Sequence, residues 1–442
     1  MWTSLVLWSS LGVGPAQALT LDEAWQAAET QSAELVVAHE QRVQSDTLKT
    51  QAWSLLGPKL SIGGNYIVNQ RESTLDFSNM FPAEVLGLIE TMTGEPVDFG
   101  DPLVINKKAY FDANVTVTQP IFSGQAIPLF MAAGAQVTSG RENERAARAQ
   151  LKVAIARVYW GALVAREGTH IAADSLALAK KHLAMAQTMV DNGAAPPQTK
   201  LQAEIAVARA ERDFEGAQAR SVAATGQLAR FTGAEPGAPL EAPGLRTHPF
   251  ASEAEAMAYA LEHRPDLAAA TAQARAARLQ RTSADASWFP RVDARFTESY
   301  TQNAGFSGEN TAWMFALAGT WTLWDGGARL ADEAKGASVV RMTAAMEDNA
   351  RENVETEVAT AWAERTRAQR AVASAEQEVA LGMENVRLAE LSFQNGALSF
   401  LDTEDARMGL DASKLTLLSE RMNLDLATLT LLQASGALDP AR

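Results

Sequence analysis

Between Leu60 and Val68 every second residue is apolar or glycine, with Leu60, Ile62, Gly64, Tyr66 and Val68 set against Ser61, Gly63 and Asn65. A period of two is the mark of a half-buried strand. The pattern returns in Phe111, Ala113, Val115 and Val117 against Asp112, Asn114, Thr116 and Thr118, where Pro120 closes it. It returns again in Val292, Ala294 and Phe296 against Asp293, Arg295 and Thr297. The last stretch sets Trp313, Phe315, Leu317, Gly319, Trp321 and Leu323 against small and hydroxyl residues. Strands are therefore predicted at about 60–68, 109–119, 291–300 and 312–323, with a long irregular segment between the first two. Each is roughly 9 to 12 residues, enough for a tilted strand to cross a bilayer. Tyr66, Trp313, Trp321 and Trp324 lie toward strand ends, as aromatics do in membrane barrels. A soluble antiparallel sheet with one wet face has the same alternation, so the strands alone do not decide.

Elsewhere the period is that of a helix. Thr20 to Leu56 is rich in Ala, Gln and Glu, and Gly57-Pro58 stops it. From Gly124 to Asn192 no proline follows Pro128, and such a run is about 100 Å long as a helix. A globular core has no room for it. Within it Leu176, Ala179, Leu183, Ala186 and Val190 step by three and four, a coiled-coil seam whose small residues permit close approach. The run from Gly326 to Asn395 is similar, and Pro197 to Phe231 is a shorter helix.

Each long run ends in an Asn-Gly pair, Asn192-Gly193 followed by Ala194, and Asn395-Gly396. Glycine there accepts the positive φ of a left-handed helix cap. Ser399 and Asp402 then read as a capping box that opens the next helix.

The two turns are copies. The capping boxes Thr20 with Glu23 and Ser252 with Glu255 stand 232 positions apart, as do Pro58 and Pro290. Phe122-Ser123-Gly124 and Trp324-Asp325-Gly326 stand 202 apart, and the Asn-Gly turns 203. The landmarks predict two internal repeats, 19–231 and 251–438, with tip turns at 192–197 and 395–399. The first repeat carries about 30 extra residues between Pro58 and Gly124. The Pro- and Gly-rich stretch 232–250 reads as a connector.

Composition narrows the class. The chain has 442 residues, 47% hydrophobic and 21% charged, and beyond the leader no apolar run of about 18 residues that would make a helical membrane span. A membrane barrel is not excluded by that. Residues 1–18 have an apolar stretch and close on Ala16-Gln17-Ala18, as a signal peptide does, although no Lys or Arg precedes the stretch. Export is the reading, with Leu19 as the first mature residue. There is no cysteine, and the net charge of −15 speaks against a nucleic-acid partner.

No enzyme constellation is present. His39, His170, His182, His248 and His263 form no His-x-x-x-His pair, and nucleophile elbows and phosphate-cradling loops are missing. No catalytic residue, metal site or cofactor is predicted. The acidic group Asp402, Glu404 and Asp405 fits the first turn of a helix, where carboxylates favour the macrodipole. Asp402 and Asp405 also share a helix face, and copies of that face about a rotation axis would form a carboxylate ring that passes or holds cations.

Two repeats of helix, strand, strand, long helix, tip turn and helix, with Pro-ended first helices and Gly-hydrophobic-Ser tips, resemble the TolC-type outer-membrane efflux proteins. The resemblance covers nearly the whole chain from Leu19 to Leu438. It implies an α+β membrane protein: a homotrimer in which each protomer gives four strands to a 12-stranded β-barrel in outer-membrane lipid, continuous with a long periplasmic α-helical barrel. The insertion, roughly Gln70 to Lys107, would be an extracellular loop, and the connector would belong to a belt around the helices. The implied function is a passive exit duct for an inner-membrane transporter, in efflux or type I secretion. A periplasmic adaptor (membrane fusion) protein would dock at Asn192, Gly193, Ala194, Asn395, Gly396, Leu398 and Ser399. The family's gate aspartates fall on Asp402 and Asp405. Its Arg–Asp lock does not carry over, because Leu398 and Thr199 stand at those positions, and Pro196-Pro197 replaces the usual hydroxyl residue. A periplasmic coiled-coil adaptor or scaffold would explain the hairpins but not four amphipathic strands, and a soluble helical enzyme would explain neither.

Overall fold

In the computed structural model the described residues are 18–96, 98–235, 237–305, 307–395, 397–398 and 400–438. The leader predicted at 1–18 lies outside them except for Ala18. The chain divides into two compact units, one of residues up to 43, 138–271 and 345 onward, the other of 44–137 and 272–344.

The elements in order are α1 (Leu21–Gln31), α2 (Ala33–Trp53), β1 (Lys59–Val68), β2 (Ser73–Leu75), α3 (Ala83–Thr93), β3 (Leu103–Asn106), β4 (Ala109–Phe122), α4 (Ala126–Asp191) and α5 (Pro197–Thr232). Then follow α6 (Glu253–His263), α7 (Pro265–Asp285), β5 (Arg291–Thr301), β6 (Thr311–Thr320), α8 (Ala328–Gln394) and α9 (Phe400–Ser435). The pairs α1/α6 and α2/α7 start and end 232 positions apart, and α5/α9 203 apart.

Three expectations are corrected. The first helix of each half is not continuous. Arg264 precedes Pro265 and is held extended, ending α6; Ser32, 232 positions earlier, does the same without a proline, at φ −69° and ψ 118°. Its hydroxyl accepts from the Leu35 N–H that opens α2. The insertion is not irregular, since it holds the β2–β3 hairpin, a 3₁₀ turn and α3. The strand bounds also move. β4 runs through Pro120 to Phe122 with a register shift there, while β6 stops at Thr320, paired with Arg291. The next residue opposite would be Pro290, which has no N–H to offer. Trp321 instead gives its indole N–H to Trp288 O at 3.0 Å. In the other half Gln119 gives its amide to Leu56 O at 2.9 Å, the equivalent pair of positions.

In the second unit β1-β4-β5-β6 form one antiparallel sheet, with β1 and β6 as its edges. The register stacks Ile62 beside Val115, Val117 beside Phe296, and Phe296 beside Phe315. Alternation places Leu60, Tyr66, Trp313 and Leu317 on that face, all exposed in the single chain. The other face is polar, with Thr116 and Thr297 hydroxyls 3.2 Å apart. At the start of α8, Arg329 is buried, with its guanidinium 4.1 Å over the Trp288 ring and its Nε 2.8 Å from Asp325.

The first unit is packed through small residues. Ala24, Ala28, Ala156 and Ala162 let α1 approach α4 around Ile155, Tyr159 and Leu429; Ala256 and Ala260 do so for α6 against Val354, Val358 and Leu431. The stretch after α5 is tied to this core. Leu19 N–H donates to Pro239 O at 2.8 Å and Glu241 N–H to Leu19 O at 3.2 Å. The enclosed Tyr159 hydroxyl lies 2.5 Å from Leu19 O and 2.6 Å from Glu241 O, and burial, with Glu241 and Glu23 adding, pushes its pKa up to about 12. Asp425, with no exposure, accepts from Trp160 Nε1 at 2.7 Å and Arg246 Nη1 at 2.9 Å. Arg246 also stacks over Trp25 at 4.6 Å.

Candidate functional site

The turn after α4 follows from its glycine. Gly193 has φ +69°, a conformation that costs other residues strain. With it in place, Ala194 N–H reaches Met189 O at 2.8 Å and Gly193 N–H reaches Val190 O at 3.0 Å, the double bond of a Schellman cap. Pro197 then starts α5 with its fixed φ, and Pro196 stands at the N-cap without a side-chain bond. The prolines therefore suit the helix start although they cannot cap it.

The turn after α8 repeats this bond 203 positions on, with Ala397 N–H donating to Ser392 O at 2.9 Å. Asn395 adds its side-chain amide to Leu391 O. Leu398 is exposed. Gly396 and Ser399 lie outside the described residues, so the capping box expected of Ser399 with Asp402 does too.

The acidic group divides. Asp402 and Asp405 are exposed on the first turns of α9, whereas Thr403 and Glu404 are buried against α8. Arg407 Nη1 donates to Glu404 at 2.9 Å and its Nη2 to Glu390 of α8 at 2.6 Å. These carboxylates, Glu390 first, hold the guanidinium above its usual pKa. Sequence reasoning counted Glu404 with its neighbours and missed Arg407 and Glu390. The one signal was spacing, since Glu404 and Arg407 stand three apart on a helix.

Asp405 lines a depression of about 410 Å³ with Met408, Arg209 and Asp213. Thr199 lies in an adjoining apolar groove of about 310 Å³ between α4 and α5, with Met185, Met189 and Ala203, which shares His182, Gln202 and Ala206 with that depression. The seam residues Ala179 and Ala186 are buried. Among the described residues no group of His, Asp and Glu could hold a metal ion, and no helix is long and apolar enough to cross a membrane.

A family model described as outer membrane efflux protein matches residues 97–234 and 257–437, well over half of the chain. The chain belongs to the outer membrane efflux protein family. Among solved structures this member is similar to the outer membrane protein VceC of Vibrio cholerae, at 19% identity over 94% of this chain and 96% of that one, with a TM-score of 0.72. It is similar to the CmeC outer membrane channel of Campylobacter jejuni, at 12% identity over 95% and 86%, with a TM-score of 0.76. It is also similar to CusC, described with transmembrane channel formation, at 17% identity over 94% and 92%, with a TM-score of 0.73. By sequence, none of the curated proteins matches it. At such identities the likeness shows a shared fold.

Proposed function

We propose that this member of the family is one protomer of a trimeric channel in the outer membrane, a passive exit duct whose helices stand in the periplasm. The sheet carries this reading. Among the described residues the outer edges of β1 and β6 have no partner strand in the single chain, and one face exposes Ile62, Trp313 and Leu317. Water is a poor solvent for such a face, and open edges are templates for pairing with another chain. Lipid on the face and closure with neighbouring copies satisfy both. Three copies of four strands make a barrel of the kind known in outer membranes. The 66 and 67 residues of α4 and α8, about 100 Å each, fit a periplasmic tunnel.

In this reading the chain carries two copies of one unit, and its turns at Asn192, Gly193 and Ala194 and at Asn395, Gly396, Leu398 and Ser399 meet a periplasmic adaptor that links the duct to an inner-membrane pump. Substrate passes by diffusion, and no catalytic group takes part. Protein purified in detergent is expected to have the mass of three chains and to conduct ions in planar bilayers; a monomer, or a trimer without conductance, rejects the duct. No feature of the structure favours the adaptor or scaffold alternative, which leaves the sheet unexplained.

Asp402 and Asp405 are proposed as the gate ring. Replacing both with Ala is expected to raise conductance and weaken block by divalent cations, because the ring's field is removed. Glu404→Gln is expected to leave block unchanged, since Glu404 is turned toward Arg407. Unchanged block in the double variant returns the aspartates to a capping role.

A further inference from the structure

The insertion between β1 and β4 is built but not covered. It is fastened at its base, where Lys107 N–H donates to Asn303 Oδ1 at 3.1 Å, Asn303 Nδ2 to Asn106 Oδ1 at 3.0 Å, and Lys107 Nζ to Gln302 O at 2.6 Å. Phe81 and Phe99 stack across it at 5.6 Å. Yet α3 has eleven residues and buries none of them. A helix that short is marginal in water without tertiary packing. Its apolar residues Val85, Leu88, Ile89 and Met92 lie on one face, with Leu88 65% and Met92 81% exposed. The steps 85, 88 and 92 are those of a helix–helix seam.

Charge narrows the choice of cover. From Gln70 to Lys107 the insertion has seven carboxylates against two cations, Arg71 and Lys107 at its two ends. A negatively charged membrane surface therefore repels it. Glu84 and Glu90 flank the apolar face or stand behind it, where a packed neighbouring helix leaves them in water. In the trimeric duct, copies of the chain stand along the free edges of the sheet, so every α3 has its own copies about the same axis. Twelve strands spaced about 4.8 Å and tilted about 40° close at roughly 24 Å across, while α3 is about 16 Å long. Copies rooted on that rim can meet.

We propose that α3 packs through Val85, Leu88, Ile89 and Met92 against α3 of the neighbouring copies, narrowing the outer mouth of the channel. This rests on the trimeric duct reading. The chain has no cysteine, so single substitutions report contact directly. In the full-length protein in nanodiscs, Leu88→Cys and Met92→Cys are expected to give oxidised, chain-to-chain linked species at least about fivefold more abundant than Glu90→Cys, because a disulfide needs Cα atoms within about 7 Å. Leu88→Asp with Met92→Asp is expected to raise single-channel conductance about twofold. The mass of the same preparation is measured first. A trimer in which Leu88→Cys links no better than Glu90→Cys overturns this inference alone; a monomer overturns the duct reading and this inference with it. A fluorophore on Leu88→Cys quenched by brominated lipid also overturns it, assigning the face to the membrane.

Discussion

Asp425 has no access to water and serves two donors from distant parts of the chain, the indole of Trp160 and the guanidinium of Arg246. Asp425→Ala leaves the indole without its acceptor and Arg246 with only the longer pairing to Asp22 at 3.7 Å, a change expected to cost about 3 kcal/mol, seen as a lower unfolding midpoint and as faster tryptic cleavage after Arg246. Trp160→Phe removes one hydrogen bond and is expected to cost about 1 kcal/mol. His248 sits 5.3 Å from Trp362 and 6.1 Å from Phe250. Burial first, and then the Arg365 charge, hold its pKa below the usual 6.5. A depressed pKa means that the neutral ring is the one that packs. Its stabilisation is complete above about pH 6.5 and is lost as pH falls below that through the lower folded value. Protection factors across 245–250, corrected for the intrinsic pH dependence of exchange, are expected to fall on acidification, and His248→Phe to abolish the change. Neither site was legible in the sequence. Asp425 and Trp160 stand 265 positions apart, and only the packing of α4 on α9 makes them partners.

At the scale of elements, the ends of α5 and α9 rest on the breaks between α1 and α2 and between α6 and α7. Gly233, at φ +66°, comes close to Gln31, where a Cβ would lie 2.6 Å from a side-chain oxygen. Gly436, at φ +78°, has backbone in that place, with His263 O at 2.9 Å and Arg264 Cα at 3.0 Å. Gln31 can swing aside and His263 O cannot. Gly233→Ala is expected to cost about 1 kcal/mol for its φ alone, and Gly436→Ala more, by about 1 to 3 kcal/mol of overpacking; thermal denaturation of the two variants compares them. The alternation of β1, β4 and β5, the Asn192-Gly193 turn and the long helices were legible because each is encoded locally. Neither helix break was read from the sequence: serine at 32 permits an extended conformation without demanding it, and Pro265, which disfavours a helical Arg264, also suits a helix start. The end of β6 was misjudged for the same reason, since the limit lies in its partner, at Pro290.

For the molecule as a whole, the two faces of the sheet are expected to respond differently. Leu317→Arg puts a charge on the exposed apolar face, a change that costs about 2 to 4 kcal/mol near the middle of a bilayer. It is expected to deplete the outer-membrane fraction and abolish heat-modifiable migration. Thr297→Asn, on the polar face, is expected to leave both unchanged; equal behaviour of the two would remove the membrane assignment of that face.

Gln119 and Trp321 make one bond with two chemistries, an amide in one half and an indole in the other. Around the second bond stand Arg329, Trp288 and Asp325, where the first half has Ile127, Leu56 and Ser123 at the equivalent positions. On the proposed duplication, an ancestor half as long would have closed the same ring from six identical pieces, each mutation appearing at every corner. On that reading, fusing two pieces into one gene would have freed alternate corners to differ while the ring kept its spacing. Arg329, with Ile127 at the equivalent position, would then be a difference that a ring of identical half-chains could not hold.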